Sequence, residues 1–119
     1  MKFKGPGSKI ENKQKRKIFE DHESDTASVL NGRKVAGSGS SEHAKSDVYN
    51  EVYRVECKAT GRQSLSIKLE WLEKITREAL DTNLTPLLAI RFDEADLAEK
   101  DWIAMPRSEF IELTNKEIN

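Results

Sequence analysis

Within the stretch "VYRVECKATG", residues 52–61, Arg54, Glu56 and Lys58 alternate with Val55 and Cys57. Strand side chains point to opposite faces in turn, so this spacing lines one face with an acid between two bases and the other with apolar groups. Asp47 opens a second short strand, Asp47-Val48-Tyr49, and Asn50-Glu51 between the two reads as a tight hairpin connection. In such a hairpin Asp47 approaches Glu56. Two carboxylates with an ammonium beside them suit a hard divalent cation, Mg²⁺ above all, held by the acids, a backbone carbonyl and waters. A cation there can take a phosphate oxygen and acidify a water, while Lys58 orients or deprotonates that water or balances phosphate charge. Glu-x-Lys on a strand is equally the pattern of an ordinary ion pair on a solvated sheet face, and the tripeptide alone does not separate the two.

The elements that would position these residues follow from periodicity and punctuation. From about Ile10 to Leu30 the chain is compatible with a helix, with sparse apolar positions at Ile18, Phe19, His22, Ala27, Val29 and Leu30. Asn31-Gly32 is a helix stop, Arg33 to Ala36 a short strand, and "GSGSS" a loop. Strands at 47–49 and 52–59 come next. Ser66 is a candidate cap for a helix from about Ile67 to Asp81, with Leu69, Leu72, Ile75, Ala79 and Leu80 along one side. "PLLAIRF", Pro86 to Phe92, is apolar enough for a strand covered on both faces. A short strand "DWIAM" follows, and Pro106 introduces a last helix with Ser108 as its candidate cap. Strand, helix, strand from Val52 to Phe92 is a crossover unit, which predicts a parallel pair. The expected architecture is a single α/β domain with a central mixed sheet flanked by helices.

Composition narrows the partners. The 119 residues make one domain by size, 36% of them hydrophobic and 34% charged, with a net charge of −1. That near-neutrality hides an uneven spread. Lys2, Lys4, Lys9, Lys13, Lys15, Arg16 and Lys17 face a single acid, Glu11, in the first 17 residues, while eight acids and three bases run from Asp93 to the end. A basic arm over 1–9 ahead of a domain over 10–119 favours a polyanion such as nucleic acid, though a solvated terminus has the same composition. The one cysteine, Cys57, excludes an internal disulfide and a cysteine-based zinc site, and it reads as a small buried hydrophobe. No apolar run has the length of a membrane span and no signal peptide is visible, so a soluble, intracellular protein is expected.

Taken together, "AGSGSS", Asp47, "RVECKATGRQSLSIKLEWL" and "TPLLAIRF" resemble the PD-(D/E)xK nuclease superfamily. Within it the chain is similar to archaeal-type Holliday junction resolvases and their small phage-encoded relatives, from about Glu20 to Leu113. The resemblance implies a restriction-endonuclease-like fold and a metal-dependent endonuclease acting in DNA recombination and repair. It also implies Mg²⁺, with Mn²⁺ substituting, a homodimer on four-way DNA, and host cytoplasm if phage-encoded. Asp47, Glu56 and Lys58 become the catalytic set, with Asp47 and Glu56 as metal ligands. The helical acid of such relatives matches Glu23, and Glu20 one turn earlier is the alternative catalytic and metal-binding position. The name-giving proline is Ser46 here, and Glu42 is a further acid near Asp47.

"GSGSSEHAKS" has glycines that let a backbone approach phosphates, and hydroxyls and N–H groups that can bind them. The resemblance places this loop on DNA, with Ser38, Gly39, Ser40, Ser41 and Lys45 as contacts and His43 beside them. Arg62, Gln63 and Lys68 precede a helix start, a favourable place for a phosphate. Trp71 and Trp102 lie among apolar positions and read as core or subunit interface. Two further readings stay open: a nuclease without junction preference, and a non-catalytic nucleic-acid-binding protein.

Overall fold

The computed structural model describes residues 9–35 and 47–118. Residues 1–8 of the arm predicted over 1–9 lie outside them, as do the contacts at Ser38, Gly39, Ser40, Ser41 and Lys45, with Glu42 and His43; Lys9 opens the first helix. The order is α1 (Lys9–Val29), β1 (Arg33–Lys34), β2 (Val48–Tyr49), β3 (Tyr53–Thr60), α2 (Leu69–Thr82), β4 (Thr85–Phe92), β5 (Asp101–Ala104) and α3 (Arg107–Ile118). The strands form one sheet in the order β1-β2-β3-β4-β5. β3 and β4 run parallel from Tyr53↔Thr85 to Thr60↔Phe92, and the other three pairings are antiparallel. The crossover through α2 therefore makes the parallel pair that strand–helix–strand order predicts, with β3 central.

The alternating sequence of β3 splits the protein into two layers. Val55 and Cys57, with Leu87 and Ala89 opposite them on β4 and Val48 on β2, form the core that receives Ala27 and Phe19 from α1 and Leu30 just after it. The inward face of α1 also carries His22, Glu23 and Thr26, all buried, which explains why its apolar periodicity is faint. His22 Nε2 donates to the Ala89 carbonyl at 3.0 Å and Thr26 Oγ1 lies 3.4 Å from Nδ1. Burial holds the His22 pKa below its ordinary value, so a neutral ring docks the helix on the sheet. Arg91 secures the same layer, reaching Asp25 on α1 and Asp101 on β5, each at 2.7 Å.

On the other face lies α2. Its register differs from the expectation: Leu69 and Leu80 are exposed, and only Ile75 and Ala79 are fully buried. Ser66 is not its cap, because residues 64–68 stay irregular and Lys68 occupies the cap position without a side-chain cap bond. Ser108 likewise falls inside α3; Pro106 stands before that helix, and its carbonyl accepts from the N–H groups of Glu109 and Phe110. Trp102 is exposed on β5, not core, with its indole N–H on the Glu99 carbonyl.

Both α1 and α2 end as the Asn residues after them suggest. Asn31 and Asn83 adopt left-handed backbone, and Gly32 and Leu84 bond back to Ala27 and Ala79 in the six-to-one pattern that closes a helix. At Gly32 the β2 backbone passes so close that an added Cβ would stand 2.5 Å from the Tyr49 carbonyl oxygen. Gly32→Ala should therefore lower unfolding stability by about 1–3 kcal/mol in a urea titration; an unchanged midpoint would mean that β2 can retreat freely.

Candidate active site

The acids meet where β2 begins. β2 pairs with β3 only through Val48↔Val55 and Tyr49↔Arg54. One residue earlier, Asp47 bonds through its N–H to the Val55 carbonyl at 3.0 Å, and its carbonyl accepts from Val35 N–H at 2.9 Å. Its side chain then does what the next strand residue would do: Oδ2 accepts the Cys57 N–H at 2.8 Å. Asp47 is thereby held at 4% exposure between Glu23 of α1 and Glu56 of β3, themselves 7% and 6% exposed. The expected hairpin is present, and Asn50 closes it by accepting from Val52 and Tyr53 N–H at 2.8 and 2.7 Å.

Charged groups this well buried interact strongly. Burial first, and the neighbouring Asp47 second, push the Glu23 carboxyl up to about 7. The same two causes raise Glu56. Glu23 Oε2 is buried with no hydrogen-bond partner among the described residues, while Oε1 lies 3.7 Å from the Lys34 ammonium. Of the two helical acids, then, the sheet selects Glu23; Glu20 is exposed. Burial also raises the Cys57 thiol, which is fully enclosed, as its place on the apolar face implied.

Glu56 is gripped by two cations. Lys58 Nζ stands 3.4 Å from Oε2, and Lys74 Nζ of α2 stands 3.1 Å from Oε1. The Lys58 ammonium also lies 4.2 Å from the centre of the Trp71 ring. Lys74 and Trp71 were not readable as site residues in sequence. Their signal was a lysine three residues after a tryptophan on the flank of the Ile75 stripe, and it becomes meaningful only once α2 is laid over the Glu56 face. Trp71 is half-buried over a lysine instead of sitting in the core. Lys68, at 5.9 Å from the same ring, joins this cluster, while Arg62 is exposed on the turn after β3.

This donor set fits a hard cation. A buried carboxylate oxygen lacking a partner, beside a second carboxylate, is a concentration of negative charge that a metal would relieve. Among the described residues no three His, Cys, Asp or Glu side chains stand ready-made as a ligand group. Mg²⁺ ordinarily uses one or two carboxylates and fills its shell with water and phosphate oxygens, so Asp47 with Glu56 or Glu23 suffices.

With the sheet order and this acid–lysine cluster in view, the fold can be compared with known structures. It is similar to that of a Holliday junction resolvase. The solved structure is that of Archaeoglobus fulgidus Hjc, a Holliday junction resolvase from an archaeal hyperthermophile. The likeness covers 79% of this chain and 96% of Hjc, with a TM-score of 0.50 and 18% identity. No protein-family model and no curated protein matches the chain by sequence. The shared property is therefore the fold, and it is the α/β resolvase architecture that the motif order implied.

Glu23 gives the site a pH signature. Its folded pKa of about 7 lies above the ordinary 4.5, so the stability it contributes is full below that lower value and is lost as pH rises through 7. Glu23→Gln should raise stability over the parent at pH 8 by about 1–3 kcal/mol, and lose that advantage at pH 5. Thermal melts in EDTA at the two pH values check this; equal gains at both would contradict it.

Proposed function

We propose that this protein is a Mg²⁺-dependent DNA endonuclease, with branched or four-way DNA as its substrate and Mn²⁺ able to replace Mg²⁺. The observation that carries the reading is the burial of Asp47 and Glu56 together, with Lys58 against Glu56, at the start of β2 in a resolvase-like fold. A binding protein gains nothing from burying carboxylates where a phosphate must approach, because each adds repulsion and desolvation cost. In a nuclease the same acids are ligands. Asp47 and Glu56, with Glu23 as third candidate, would hold the ion, which when bound supplies a Lewis acid for a phosphate oxygen and an acidified water.

The chain's own groups do the rest. The Cys57 N–H holds the Asp47 carboxylate in one orientation, so no reorganisation is needed when charge arrives. Lys58 is positioned to meet charge developing on the phosphate. Lys68 and Arg62, both exposed on the approach to α2, would bind the DNA backbone, with Ser38, Gly39, Ser40, Ser41 and Lys45 contributing from the segment before Asp47.

A homodimer belongs to the same proposal, since two paired cuts require two sites. A groove of about 290 Å³ between α2, β4 and β5 is lined by Leu72, Ile75, Pro86, Leu88, Ala104 and Met105. Phe110, Ile111 and Leu113 are exposed on α3. A second copy covering such surface is the commonest way to bury it.

The test is cleavage of a labelled four-way junction beside a matched linear duplex in Mg²⁺, with EDTA and Glu56→Ala as controls. Paired cuts in the junction alone are expected, abolished by EDTA and by Glu56→Ala, with Lys58→Ala slower by about 10²-fold or more. Equal cutting of both substrates would remove the junction preference. DNA binding without any product would leave a non-catalytic binding protein.

A further inference from the structure

Glu56 has one more cation than an acid–lysine pair needs, and Lys58 has one more neighbour. The Lys74 ammonium, 3.1 Å from Glu56 Oε1, already balances the carboxylate from the α2 side. Lys58 is left between a weaker contact to Oε2 at 3.4 Å and the face of Trp71 at 4.2 Å. Trp71 and Lys74 are three residues apart on α2, so they share a face and reach the Glu56–Lys58 pair together.

A lysine is a point charge on a flexible stem, and a side chain 28% exposed has room to swing into water or to collapse onto the nearest carboxylate. The negative face of an indole attracts an ammonium without accepting its protons in the way an oxygen does. A lysine seated on a ring is thus held in place while its N–H groups stay available to another acceptor. Lys74 completes the arrangement by keeping Glu56 occupied from the opposite oxygen.

We propose that Trp71 is a positioning residue for Lys58: its ring seats the ammonium beside Glu56 so that Lys58 is held for a phosphate oxygen instead of being spent on the carboxylate. This inference rests on the nuclease reading for its purpose, and on the Lys58–Trp71 contact for its geometry.

The experiment uses the full chain, the labelled four-way junction and Mg²⁺, and compares the parent with Trp71→Phe and Trp71→Leu. The Lys58 ε-methylene protons are followed by NMR in the same proteins, because protons over an aromatic face are shifted upfield. Trp71→Leu should lower kcat by about 10- to 100-fold with KM for the junction nearly unchanged, as expected when a reacting group is misplaced and not lost. Trp71→Phe, which keeps an aromatic face, should recover most of that loss. The Lys58 signal should be shifted in the parent, partly shifted in Trp71→Phe, and at its ordinary position in Trp71→Leu. A kcat unaffected by Trp71→Leu in a folded protein overturns the proposal, as does an unshifted Lys58 signal in the parent. Equal loss in the Phe and Leu variants, matched by equal loss of thermal stability, reduces Trp71 to a packing role and also overturns it. A parent that cleaves nothing removes the nuclease reading and the purpose of the seat with it; a shifted Lys58 signal in that protein marks the failure as one of function, not of geometry.

Discussion

The Asp47 carboxylate takes the N–H of Cys57 on the neighbouring strand, and most of the site follows from that bond. Cys57 is fully buried and its N–H faces the edge where the β2 pairing has ended. Left unpaired, such a donor costs about 1–3 kcal/mol. Asp47 satisfies it through Oδ2 while its own N–H and carbonyl tie β3 to the β1 end. The geometry of the backbone thus calls for an acceptor inside, and Asp47 supplies a carboxylate. Burial first, and then the Asp47 charge, make the neighbouring carboxyls of Glu23 and Glu56 costly to ionise, and both are pushed up.

The surrounding layers contain that cost. Lys34 approaches Glu23 from β1, while Lys58 and Lys74 hold Glu56 from β3 and α2. Three elements, β1, β3 and α2, each bring a lysine to the acids. Away from the site, the same helix is docked by neutral or fully paired groups: His22 on the Ala89 carbonyl, and Arg91 between Asp25 and Asp101. The Arg91 hydrogen bonds keep Asp101 below the usual carboxylate range, so that network is satisfied in itself. Stability is thereby drawn from His22 and Asp25 and forgone at Glu23, which lies between them in the chain, a division common where binding chemistry needs unrelieved charge.

Much of this was legible in sequence, and the reasons are local. The alternation of Val55 and Cys57 with Glu56 and Lys58 identifies a strand with two unlike faces, because strand period is strict. The apolar run at Leu87–Ile90 and the crossover before it identify the central parallel pair. What could not be read depends on how wide a stripe each helix buries. Leu69 and Leu80 match α2's period yet remain outside the narrow strip that touches the sheet. Glu20 and Glu23 are the same residue type about one turn apart, and only the docking of α1 separates them. Ser66 and Ser108 look like caps, but a cap is chosen by where the backbone turns, and both turns lie elsewhere. Trp71 and Lys74 needed the third dimension altogether, since their partners are on a strand that the crossover brings beneath them.

The hydrogen bond between Val35 N–H and the Asp47 carbonyl has a further meaning for how such a protein could diversify. It fastens Val35 to Asp47, the two described residues that flank positions 36–46 in the chain. With that clasp shut, the cost of lengthening the intervening chain grows only logarithmically, about 0.6 kcal/mol per doubling. The segment leads straight into Asp47, so its composition can be exchanged at the threshold of the acids while the sheet keeps its register. Such a junction lets the length of chain between Val35 and Asp47 change without rebuilding the scaffold.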